Sequence, residues 1–335
     1  MEQPGVQQLF FQHIRNNLPP HLSLVDEIAE LLNISTDSAY RRIRGEKPIS
    51  FDEIRALCTH YKVSLDQLFQ INSEAIIFSG KNADASTFSF DLYLQNILRQ
   101  LLFMNSFDRR ELICINKDLP VFYYFYYPEL ASFKFFFWMK TILQYPLFGK
   151  TMFVMDDFTQ SLLKMGHSII SEYNKLPSQE LWNVENVHVT IRQIEYYKET
   201  RMFASAAEIV HLYDCLLNTI NHIELQAENG FKFMPGTRPD LSSTAYKMYV
   251  NEFMIGDNTY LAILNDTKVV YLNHTVLNVI QTRDTAFTEY TYAHFQNLVR
   301  KSTPVSVAGE KERSKFFNHM REKIENRKKA VNHYP

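Results

Sequence analysis

Four cations stand within seven residues, Arg41, Arg42, Arg44 and Lys47, with Asp37, Ser38 and Tyr40 just before them. Side chains of these types neutralise phosphate and hydrogen-bond to a polar surface, chemistry that suits holding a protein against nucleic acid. The helix that would carry most of them, Thr36 to Arg44, turns only Ala39 and Ile43 inward and leaves Asp37, Ser38, Tyr40, Arg41 and Arg44 outward. It is a poor core helix and a good reading helix. Net charge adds no support, because residues 1–70 hold seven Lys and Arg against nine Asp and Glu. Placement matters more: the cations cluster on one side, while Asp26, Glu27, Glu30, Asp52 and Glu53 fall on other predicted helices.

The elements that must position these residues follow from capping and periodicity. Leu24, Ile28, Leu31 and Leu32 recur at helical spacing behind Ser23, a candidate N-cap. Asn33 then interrupts the pattern, and asparagine tolerates the left-handed backbone that a tight turn between helices requires. Ser35 caps the next helix, Gly45 closes it, and Pro48 forbids quick resumption. Ser50 opens a third helix, Phe51 to Tyr61, with Ile54, Leu57 and Cys58 on one face. Ser64 opens a short fourth that carries Leu65, Leu68 and Phe69. The opening stretch MEQPGVQQLFFQHIRNNL has no basic leader and apolar run, and reads as an extra amphipathic helix.

The fragments IAELLNIS, the GEKP loop and KVSLDQLF resemble the helix-turn-helix domain of the lambda-repressor/Cro (xenobiotic-response-element) family of transcription regulators. The run from Tyr40 to Gly45 is also similar to a subgroup of such regulators from Bacteroides-type bacteria. The resemblance implies that the helix after the turn enters the DNA major groove. Thr36, Asp37, Ser38, Tyr40 and Arg41 would touch bases or phosphates, and Arg42, Arg44 and Lys47 would clamp the backbone. Asn33 departs from the family's usual turn glycine, and Arg42 with Ile43 is shifted against its usual apolar pattern.

Length and composition call for more than this one unit. The chain has 335 residues, 46% of them hydrophobic and 14% aromatic, enough for a second, larger core. The stretch between Asn72 and Ser89 mixes small and polar residues and reads as a linker. Beyond it, Asp91 to Phe103 and Leu130 to Gln144 read as helices, with Glu111 to Ile115 and Val121 to Tyr126 as short strands between them. Asp156 or Asp157 caps a helix that runs to Asn174, and Pro177 and Ser178 start a helical region containing Val187 to Thr200 and Ala204 to Glu228. Lys247 to Phe253, Tyr260 to Leu264 and Val269 to Leu272 alternate with turns as strands, before helices at Thr285 to Arg300 and Glu310 to Arg327. The expected fold is multidomain and mainly α: an all-α helix-turn-helix domain over 1–71, a linker over 72–89, and a helix-dominated α+β domain over 90–335. The strand-strand-strand-helix ending resembles effector domains descended from the phospholipase D fold. Their paired His-x-Lys motif is absent, so no catalysis is implied.

Enzyme chemistry finds little support. There is no His-Glu-x-x-His, Cys-x-x-Cys, phosphate-binding loop, dinucleotide glycine triplet or Gly-x-Ser-x-Gly elbow. The three cysteines, Cys58, Cys114 and Cys215, are far apart and fit small buried residues in a reducing cytosol. His188 and His211 read as packed or surface histidines, and Asp156-Asp157 as a helix cap rather than a metal pair. Trp182 with Tyr196 and Tyr197 reads as core before ligand pocket, and the aromatic run Phe122 to Tyr127 as a buried strand or a dimer face. Phe316, Phe317, Met320 and Ile324 form the inward stripe of the basic C-terminal helix. The expectation is a cytoplasmic, non-enzymatic regulator without cofactor or metal. It would bind double-stranded DNA as a homodimer, touch no membrane, and leave room for a small-molecule or protein effector. The alternatives are a protein-interaction adaptor with a helix-turn-helix fold, and, ranked last, an enzyme fused to a reader.

Overall fold

The computed structural model describes residues 5–69, 76–80, 89–155, 160–253 and 256–333. A helical N-terminal region is followed by a larger region built on a mixed sheet. The first comprises α1 (Val6–Asn16), α2 (Leu24–Leu32), α3 (Thr36–Ile43), α4 (Phe51–Tyr61) and α5 (Leu65–Phe69). Asn33 ends α2 at φ 51°, ψ 52°, the left-handed conformation that its side chain tolerates. The Ser35 hydroxyl accepts from the Ser38 amide at 3.2 Å. Ser50 and Glu53 form a reciprocal capping box at the start of α4. Ser23 holds the N-cap position of α2 but makes no side-chain cap bond. Phe10, Phe11 and Ile14 of α1 close a small core with Leu24, Ile28, Ala39 and Leu57.

The second region runs α6 (Phe90–Asn105), β1 (Arg110–Ile115), a 3₁₀ segment (Val121–Tyr126), α7 (Pro128–Phe137) with a π-helical turn after it (Trp138–Ile142), α8 (Gln160–Asn174), β2 (Ser178–Trp182), α9 (His188–Glu199) and α10 (Ala206–Asn229). It ends with β3 (Tyr246–Val250), β4 (Thr259–Leu264), β5 (Thr267–Asn273), β6 (Val279–Thr282), α11 (Thr285–Arg300), β7 (Thr303–Pro304) and α12 (Glu310–Lys329). The strands make one sheet in the order β6-β5-β4-β1-β2-β3-β7. β1, β2 and β3 are parallel and the outer pairings antiparallel. One face packs Leu112, Cys114, Tyr246, Met248 and Ala262 into the main core, beside buried residues of α7, α8, α10 and α12. The other face sets Ile113, Leu181, Leu261 and Val270 against Phe295 of α11.

Three sequence expectations change here. Val121 to Tyr126 is a 3₁₀ segment between Pro120 and Pro128, not a strand, and its rings are buried. Phe122 stacks on Tyr173 at 4.2 Å, and the Tyr126 hydroxyl donates to Asn174 at 3.1 Å, so the run belongs to the core. Ser178 opens a strand, β2, rather than a helix. Glu180 at its centre is fully buried and accepts from the Tyr123 hydroxyl and the Trp182 indole at 2.7 Å each, as well as from the Tyr173 hydroxyl. A carboxylate surrounded by donors in this way is tolerated where the sequence would suggest a surface position. Finally, the stretch read as linker joins the sheet edge at Ser79. The amide and carbonyl of Ser79 bond to those of Gln281, and Phe78 meets Phe287 edge-on. Asp156 and Asp157 lie outside the described residues.

Candidate nucleic-acid interface

The outward face of α3 is set by what its inward face buries. Ala39 is fully buried against α2, which crosses the Asn33 turn to reach α3. Thr36, Asp37, Tyr40, Arg41, Arg44 and Lys47 are all exposed as a result, and Ser38 is partly so. Arg41 and Lys47 pair with no carboxylate among the described residues, which leaves two cations available to an anionic partner. Arg44 is partly neutralised by Glu46 at 3.1 Å and lies 5.6 Å from the Tyr40 ring centre.

Arg42 departs from the expected set. It is buried to 7% exposure, and its guanidinium meets Glu53 of α4 through two bonds, Nη2 to Oε1 at 2.7 Å and Nε to Oε2 at 3.3 Å. Its Nη1 donates to the Ser38 hydroxyl at 2.6 Å. The cation that looked like a phosphate clamp is the strut between α3 and α4, and it also occupies the Ser38 oxygen. Burial by itself would raise the Glu53 carboxyl. The Arg42 bonds and charge, with the Ser50 amide, hold it below its ordinary value.

Sequence reading missed the brace behind this surface. Gln7 of α1 donates to the carbonyls of Arg42 and Lys47, at 2.7 Å each, and accepts from the Ile49 amide at 3.1 Å. Gln8 donates to the Arg44 carbonyl at 2.8 Å. Two glutamines thus satisfy carbonyls at the end of α3 and in the loop that follows. Gly45 makes that loop possible with φ 79°, and it packs close to the Gln8 side chain.

The other candidates separate. Trp182 and Tyr197 are core, whereas Tyr196 is half exposed on a groove of about 650 Å³ with His188, Arg192 and Lys323. The stripe Phe316, Phe317, Met320 and Ile324 is buried as expected. On the same helix Arg321, Lys323 and Lys328 are engaged by Glu224, Glu185 and Asp214. No helix among the described residues is long and apolar enough to cross a membrane.

Residues 16–84 match the BetR domain, a helix-turn-helix-like domain associated with transcription regulators. At the level of that family the match points to a DNA-binding regulatory role. No curated protein and no solved structure matches the chain.

Proposed function

We propose that this protein is a sequence-specific DNA-binding transcription regulator that inserts α3 into the major groove. Thr36, Asp37, Tyr40 and Arg41 face the bases, while Arg44 and Lys47 hold the phosphates. The observation that carries the reading is the outward face of α3, where Arg41 and Lys47 stand exposed with no carboxylate partner among the described residues. Ser38 and Arg42 drop out of the contact set, because they satisfy each other and Glu53. The acidic balance of residues 1–70 makes one copy a weak binder, so two copies on a near-palindromic site supply the affinity, and the sheet region provides the pairing surface. No catalytic step is assigned to the chain.

Binding of labelled operator DNA tests the reading. Arg41→Ala with Lys47→Ala weakens binding by about tenfold or more and lowers the slope of log affinity against log salt by roughly one per lost phosphate contact. An unchanged affinity and slope in the folded double variant would exclude α3 as the reading element.

A further inference from the structure

DNA reading makes no use of three side chains that α7 and α10 bring together. His211 and Cys215 stand four residues apart on α10, on one face a turn from each other, and Glu129 lies in the first turn of α7. The His211 Nε2 is 3.5 Å from Glu129 Oε1. The ligand atoms of all three lie within 4.8 Å of one another, the one convergence of three such donors among the described residues. Around a tetrahedral ion, bonds of about 2.0–2.3 Å place donors roughly 3.3–3.8 Å apart, so a movement of about 1 Å closes the set.

We propose that Glu129, His211 and Cys215 form a binding site for a divalent transition metal, with Zn²⁺ the best match. A thiolate and an imidazole select a borderline ion over Mg²⁺ or Ca²⁺, and the single carboxylate completes a three-ligand set with a fourth position for water. Cys215 is buried and forms the floor, while His211 is half exposed at the rim. Metal entry forms the S–metal bond and releases the Cys215 thiol proton to solvent. His211 reads from sequence as a packed or surface histidine because the third donor, Glu129, lies far away in the chain.

Co²⁺ titration of the full-length protein, first stripped with chelator, tests the site. The expected result is one Co²⁺ per chain with a thiolate-to-cobalt charge-transfer band that Zn²⁺ abolishes by displacement. Cys215→Ser removes the band and Cys114→Ser retains it. His211→Ala changes only a half-exposed position, so it stays folded and weakens binding by about tenfold or more. No thiolate band, or a band that survives Cys215→Ser, overturns the proposal whatever the outcome of the DNA experiments.

Discussion

Arg41 and Arg42 are adjacent in sequence and do opposite work. Arg42 is a buried partner of Glu53, so Arg42→Ala leaves a partly buried carboxylate unpaired and costs about 1.5–3 kcal/mol of stability, measurable as a lowered urea midpoint. Arg41→Ala leaves that midpoint within about 0.5 kcal/mol and acts on DNA affinity alone. Acid sensitivity follows from individual residues as well. Burial, then the charge of Arg283, lower the His13 imidazole below its usual 6.5, and burial lowers His222 despite its bond to the Phe233 carbonyl. Below pH 6.5 the unfolded chain takes up protons that the folded chain refuses, so stability falls as pH drops through that value. Burial likewise brings the Lys134 amine down to about 7, where it leans on Gln193 Oε1 at 2.6 Å and over the Tyr124 ring. Between pH 7 and its usual 10.5 only the unfolded chain carries that proton, so stability rises with pH across this window. Lys134→Met flattens the rise, and a pH series of urea midpoints for wild type, Lys134→Met and His13→Gln checks both windows.

At the scale of elements, α1 holds α3 in place. Its N-terminal glutamines bond to the end of α3 and the loop beyond, and Phe10, Phe11 and Ile14 fill the core beneath. Gln7→Ala removes three bonds to the 42–49 backbone and costs about 1–3 kcal/mol, with faster amide exchange at Ile49 as its local sign. The helices of this region were legible in the sequence because their signals act within a turn: Asn33 and Gly45 in left-handed backbone, Ser35 and Ser50 as caps. Arg42 was not legible, because its inward turn depends on Glu53 in the next helix. β2 was hidden for a related reason. A short strand centred on Glu180 looks polar until Tyr123, Tyr173 and Trp182 arrive as donors. β6 and β7, four and two residues long, carry too little pattern to register, and the 3₁₀ turn resembled a strand because an unbroken aromatic run favours one. The sheet order depends on pairing β1 with β4, a match between distant segments that no local signal encodes.

Across the whole molecule, the helical region and the sheet meet through α1. Arg283, just after β6, donates to Asn17 at the end of α1 and lies beside His13, while Ser79 ties the preceding chain to β6. A change at the sheet edge therefore has a short covalent and hydrogen-bonded route to α3, by way of Asn17, α1 and Gln7. Arg283→Met cuts that route, and the expected outcome is faster amide exchange across α1 with little change in the sheet. The central claim is that this chain reads a DNA sequence with two copies of α3. Selection from a random DNA pool by the full-length protein at about physiological salt tests it most directly, since specific binding exceeds non-specific binding by roughly three or more orders of magnitude. The account predicts an enriched motif with two-fold symmetry and half-sites about one helical turn apart, lost in Arg41→Ala with Lys47→Ala. Folded protein that enriches no motif, or binds with no dependence on salt, would contradict it and favour a protein-binding adaptor.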